Sequence, residues 1–301
     1  MNTLQLNGAE VRTSHLTQMS FRAACCEFLV CVTPANQAQA LQAFQKGNNF
    51  SGLRVSGIAD LSFLADFPNL RYLEVVDQER VNTRPLDGLS NLRGLRLETP
   101  GTGLDFSCFP ELEVFVGDWH RDNSNVHRCE ELRKLRIWHF KPRSLDLSSL
   151  AHATRLEWLD LTQTGIVSLA GLETLADLRY CEIAYAPQLQ SLAALSSGQI
   201  ELRELSFQKA KKIASYEPIA ALRRLRRIKI SDCASMPDLK WTKGMDQLDF
   251  FSFVETNVED GDLSPLLRLP KLRYVGTSDK RHYNYKFADI NEILHQDKNG
   301  Q

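Results

Sequence analysis

The sequence predicts an α/β solenoid built from short stacked units, and three observations predict it. An apolar signature, L-x-x-L-x-L, recurs every 20 to 24 residues through most of the 301-residue chain. Self-similarity at that period marks a repeat architecture, in which each unit buries its apolar edge only against its neighbours. A second apolar set follows the signature at wider spacing, as a return segment would. Length and composition agree with one domain, because a solenoid grows by adding units to a single structure.

The signature begins at Phe50, Leu70, Leu92, Leu112, Leu132, Leu156, Leu178, Leu202, Leu225, Leu248 and Leu272, which defines eleven units. In the clearest one, Leu156, Leu159 and Leu161 fill the three apolar slots, and Ile166, Leu169, Leu172 and Leu175 carry the return half. Side chains alternate along a strand, so the second and third slots point together into the core and the residues flanking them point out. One short strand per unit then stacks in parallel.

This pattern resembles the leucine-rich repeat family over roughly residues 50–280. The resemblance implies a curved solenoid with a parallel β-sheet on the concave face and short helices or 3₁₀ turns on the convex face, and it implies protein binding. The closing unit, from Asp260 through Leu263, Leu266, Leu269, Leu272 and Val275 to Tyr283, resembles that of bacterial cytoplasmic leucine-rich proteins, some of which neutralise toxins as immunity proteins. The chain departs from the family after the strand, where asparagine usually ties neighbouring turns. That slot reads Ile58, Thr164, Ala186, Ala210, Cys233 and Thr256. Thr and Cys can supply part of the bonding; Ala and Ile cannot. The poorly matched units near residues 98–130, with Gly117 in an apolar slot, are expected to be locally irregular.

A solenoid needs caps, because its terminal cores are otherwise open to aggregation. Residues 1–49 form the expected N-terminal cap, with a strand over Glu27 to Val32 and a helix over Pro34 to Phe44, its Pro near the first turn. Residues 281–301 form the C-terminal one: Phe287, Ile290, Ile293 and Leu294 have helical spacing, and the polar tail after His295 is expected to fray.

Net charge is −1, so the basic excess that neutralises phosphates is missing and nucleic acid is not the expected partner. The cluster Arg223, Arg224, Arg226, Arg227 and Lys229 reads as a solvated outer face. No apolar run reaches the roughly 18 to 20 residues that cross a bilayer. The stretch Ala23 to Val32 contains Glu27 and lacks the basic region of a signal peptide, so a cytoplasmic location is expected. Cys25, Cys26, Cys31, Cys108, Cys129, Cys181 and Cys233 are odd in number and show no framework spacing, which fits reduced thiols.

No Gly-rich phosphate loop, G-x-S-x-G elbow or H-E-x-x-H motif occurs, and no enzyme activity or cofactor is expected. Cys108, His120, His127, Cys129 and His139 mix zinc-ligand types at irregular spacing, and His127 and Cys129 read as turn and core residues. The run His282, Tyr283, Asn284, Tyr285 reads as a loop closing the last repeat.

Function is therefore expected on the outward strand positions. Aromatics and Arg anchor interfaces because they join large contact area to directional polar groups. The candidate protein-binding residues are Tyr72, Arg96, Arg136, Trp138, Trp158, Asp160, Tyr180, Glu182, Glu204, Arg227, Lys229, Phe250 and Tyr274. Arg136 followed by Asp160 and Glu182 alternates in sign, which suits a partner of patterned charge or a salt-linked ladder within the sheet. Eleven strands about 4.8 Å apart make an edge of about 50 Å, long enough for a face of about 800 Å². The expected protein is a monomer binding one protein partner. A bacterial toxin is one form of that partner, and a scaffold or adaptor role and a secreted effector that binds a host protein are the alternatives.

Overall fold

Every one of the eleven signature starts lies two residues before an observed strand. The computed structural model describes residues 2–6, 9–14, 29–47, 50–77, 79–100, 103–197 and 201–299, with the backbone alone for 2–6, 9–14 and 297–299. The chain divides into two compact units, residues 1–138 and 139–301.

The first unit carries β1 (Asn2–Leu6), β2 (Ala9–Ser14), β3 (Leu29–Val32), α1 (Gln37–Lys46), β4 (Gly52–Val55), β5 (Tyr72–Val76), β6 (Gly94–Glu98), β7 (Val114–Asp118) and β8 (Lys134–Trp138). From β3 to β8 each strand pairs in parallel with the next, so Val30, Leu53, Leu73, Leu95, Phe115 and Leu135 line up in register. All six are at most 1% exposed. This inward column is the second apolar slot, and burying each large side chain is worth roughly 1.5 to 3 kcal/mol. Ahead of the repeats, β1 and β2 form an antiparallel pair, and β2 runs antiparallel to β3. The sequence reading expected no hairpin there. Helix α1 begins three residues after Pro34, which lies in the preceding turn, and the Asn36 side chain braces that turn by accepting from the Thr33 amide at 2.8 Å. Glu27, Cys25 and Cys26 lie outside the described residues.

The second unit carries β9 (Trp158–Thr162), β10 (Tyr180–Ala184), β11 (Glu204–Gln208), β12 (Arg227–Ser231), β13 (Phe250–Ser252), α2 (Ser264–Leu267), β14 (Tyr274–Gly276) and α3 (Phe287–Asn299). Its six strands are also parallel and in register, with Leu159, Cys181, Leu205, Ile228, Phe251 and Val275 forming the inward column. In both units the return segments are mostly 3₁₀ turns of three to five residues. An aspartate-centred turn leads into many of the returns. Asp60, Asp105, Asp146, Asp238 and Asp262 each accept the backbone N–H of residue i+2, a local bond that favours a turn over continued strand.

The missing asparagine is replaced in two ways. The Thr164 and Thr256 hydroxyls donate to the carbonyls of Phe140 and Ile230 one repeat earlier, both at 2.9 Å, while Ala186 and Ala210 only fill space. The residue just before this slot turns left-handed: His139, Gln163, Tyr185, Lys209 and Asp232 have φ between 52° and 57°. Their N–H groups donate to carbonyls of the following repeat at 2.8 to 3.1 Å, the last of the strand in four cases and Val254, just past β13, for Asp232. Each left-handed non-glycine residue costs roughly 1 to 2 kcal/mol, offset here by a backbone ladder that needs no particular side chain.

Gly117 does not make its unit irregular. Strand β7 is five residues long and pairs fully with β8. A Cβ at Gly117 would sit 2.5 Å from the Leu97 carbonyl and 3.0 Å from the Phe115 ring, so the phenyl group already occupies the slot. Phe106 meets Phe115 edge to face at 5.1 Å and completes the packing.

Candidate protein-recognition face

The outward positions behave differently in the two units. On the first, Tyr72 is 3% exposed and packs with Leu29, Val114 and Val116, and Trp138 lies against that cluster. Beside it runs a charge ladder. Arg54 and Arg96 lie 3.5 and 4.0 Å from the Glu74 carboxylate, and Arg96 also pairs with Glu98 at 2.8 Å. Arg136 lies over the Trp138 ring at 5.2 Å. Tyr72, Arg96, Arg136 and Trp138 are thus engaged within the protein.

The second unit presents most of its outward side chains, Asp160 being buried. Trp158 and Tyr180 stack with ring centres 3.6 Å apart and planes 12° from parallel. Phe250 and Tyr274 stack at 4.9 Å and 13°, and Phe287 from α3 meets Tyr274 edge-on at 6.2 Å. Between the two stacks, Arg227 sits 3.8 Å from Glu204 and 4.3 Å over the Phe250 ring. Register places these residues in a single column, one per strand. The next column carries Asp160, Glu182, Ser206, Lys229, Ser252 and Gly276. Asp160 is 4% exposed, while Lys229 is exposed and has no ion-pair partner among the described residues. The Tyr180 hydroxyl donates to the Glu182 carboxylate; burial first, then that bond and the charge of Glu182, push the phenol well above its ordinary value. Tyr180 is therefore a neutral donor at any physiological pH.

Three residues escaped the sequence reading. Phe287 fits the apolar spacing of the cap helix, yet it is 39% exposed beside Tyr274; Val254 is 40% and Tyr185 is 41% exposed. Lys209 lies 4.8 Å over the Tyr185 ring. Both occupy the left-handed position after their strands, which turns side chains to the rim. The repeat register alone could have located that rim, since it falls five residues after each strand start.

The remaining groups resolve as structural. The Cys129 thiol is buried against the carbonyls of Phe106 and Phe109, and burial pushes its pKa up to about 12. Among the described residues no three His, Cys, Asp or Glu side chains come together as a metal site. Tyr283 accepts the Val258 amide at 3.0 Å, Asn284 accepts the Leu263 amide at 2.9 Å, and His282 bonds the Val258 carbonyl, so this run braces the last repeat. The basic run divides: Arg224 pairs with Glu201 and Arg223 bonds the Lys243 carbonyl, while Arg227 and Lys229 lie on the outward strand face. No described helix is long and apolar enough to cross a membrane.

No protein-family model matches the chain, and no curated protein matches it in sequence. Solved structures do match. An internalin, InlF, from Listeria monocytogenes aligns with a TM-score of 0.62 at 18% identity, covering 87% of this chain and 88% of its own. A leucine-rich repeat protein of Leptospira interrogans aligns with a TM-score of 0.52 at 14% identity, covering 80% of this chain and 68% of its own. With the parallel strands, the repeat register and the 3₁₀ returns, these likenesses identify the fold as a leucine-rich repeat solenoid.

Proposed function

We propose that this protein recognises a protein partner without catalysis, using the outward strand face of its second unit. The supporting observation is the column from Trp158 to Tyr274, in which two stacked aromatic pairs flank a half-exposed Glu204–Arg227 pair. Aromatic stacks give a rigid contact area that loses little side-chain entropy on binding. The ion pair, in contrast, is solvated and contributes at most about 1 kcal/mol to the fold, so it is available for exchange with a partner's charges. Trp158, Tyr180, Glu182, Glu204, Arg227, Lys229, Phe250 and Tyr274 are the contact residues in this reading.

The five described cysteines are free and four of them are buried, which suits a reducing compartment, and we place the protein in the cytoplasm as a monomer. Neutralisation of a bacterial toxin by covering its working surface is the specific form suggested by the resemblance of the closing repeat. Rescue of growth on co-expression with the toxin would test it.

The general reading is tested by pull-down from host lysate with wild type and a Trp158→Ala/Tyr180→Ala variant whose circular dichroism matches wild type. The expected result is a protein enriched by wild type and weakened by more than about 1 to 2 kcal/mol in the variant. Equal recovery by both would move the site off this face.

A further inference from the structure

We propose that the second unit recognises a partner segment that presents, in spatial order across the strands, an apolar residue, a basic residue, an acidic residue and a second apolar residue. This rests on the recognition reading above and specifies its chemistry. The face itself runs in four steps. Trp158 and Tyr180 lie on β9 and β10, the carboxylates of Glu182 and Glu204 on β10 and β11, the cations Arg227 and Lys229 on β12, and Phe250 and Tyr274 on β13 and β14, with Phe287 beside Tyr274. Strands lie about 4.8 Å apart, so the aromatic steps are about 19 Å apart and the opposite charges about 5 to 10 Å apart.

Within the free protein these charges are only partly used. Glu204 and Arg227 approach no closer than 3.8 Å, with side chains 48% and 41% exposed. Arg227 also sits over the Phe250 ring, 4.3 Å from the ring centre. Lys229 is exposed with no ion-pair partner among the described residues. A partner's cation set between Tyr180 and Glu204 gains the half-exposed Glu204 carboxylate and, beside it, the Glu182 carboxylate that also accepts from the Tyr180 hydroxyl. Its carboxylate gains Arg227 and Lys229. Like charges in either place would meet repulsion, so the order selects among partners as well as attracting one.

The face also limits what can bind. Strands of three to five residues give about 10 to 16 Å along the strands, and six strands give about 24 Å across them. That footprint fits one projecting helix or loop, since a helix with its side chains is about 10 to 12 Å wide. The contact is therefore a protein segment, with the charge order as its specificity.

The test is selection of a displayed random 18-residue peptide library on the full-length protein, followed by affinity measurement of the enriched clones on variants. Enriched clones should carry a basic and an acidic residue between apolar ones. Glu204→Lys should weaken them about tenfold or more, and changing the clone's basic residue to Glu should restore binding to that variant. Arg227→Glu should behave in the mirror sense. Clones lost on Trp158→Ala/Phe250→Ala but indifferent to both charge reversals would overturn the charge order and leave the recognition face standing. Clones indifferent to every variant would overturn both. A library giving no enrichment over the Trp158→Ala/Phe250→Ala protein would also overturn the proposal.

Discussion

Glu74 shows what an outward strand position costs when the structure covers it. Its side chain is fully buried, and neither carboxylate oxygen accepts a hydrogen bond; Arg54 and Arg96 supply only charge at 3.5 and 4.0 Å. Burial raises its pKa above the ordinary value, against the pull of Arg96 and Arg54, and Glu98 adds to the rise. A raised folded value means the folded state holds the proton more tightly than the unfolded chain. The stability this confers is complete below the unfolded value and is lost as pH rises through the folded one. The advantage of wild type over Glu74→Gln in urea unfolding should therefore shrink from pH 4 to pH 7. A constant difference would mean the two guanidiniums fully offset the burial. The turn carboxylates have the opposite sign. Asp105 is held low by the Ser107 hydroxyl, then by Asn125 and the Ser107 amide, and Asp262 by Ser264. Their contribution is present above the unfolded value and is lost as pH falls.

At the scale of elements, the last strand is closed by a side chain that imitates a neighbouring strand. Asn291 of α3 accepts the Val275 amide at 3.0 Å and donates to the Val275 carbonyl at 2.8 Å, and it is 9% exposed. Both backbone groups at the centre of β14 are thereby satisfied on the edge side, where an open strand would offer a template for aggregation. Asn291→Ala leaves a buried donor and acceptor unpaired, at about 1 to 3 kcal/mol for such a loss. Thermal unfolding should register that cost, and light scattering near the midpoint should rise earlier than for wild type. A variant as stable and as soluble as wild type would show that α3 protects the edge by packing alone. The helix was legible from the spacing of Ile290 and Leu294, both buried. The role of Asn291 was not, because a polar residue in a helix carries no mark of which strand it will meet.

Across the whole molecule, the five described cysteines are free, and Cys31, Cys129, Cys181 and Cys233 are buried. Burial pushes the thiols of Cys129 and Cys233 to about 12 and about 11, and raises Cys181 further still. The thiolate is the reactive form, so iodoacetamide at pH 8 should label Cys108, the half-buried one, ahead of these three, with all of them labelled in urea. Peptide-mass mapping reads the order; labelling of Cys181 as fast as Cys108 in the native protein would mean that the core opens readily. The repeat itself was settled by the sequence, because the inward slots form a local pattern that recurs: most units carry apolar residues at their second and third positions, whatever their neighbours do. That pattern located all eleven strand starts from Gly52 to Tyr274. The hairpin of β1 and β2 left a signal too, since the sequence between them contains Asn-Gly, a dipeptide that favours hairpin turns. Which outward residues are presented was decided only in three dimensions. Tyr72 and Tyr180 occupy the same position of the repeat, yet one is buried among Leu29, Val114 and Val116 and the other stacks half-exposed on Trp158. Repeat position determines the direction of a side chain, whereas its exposure depends on residues distant in sequence that pack against it.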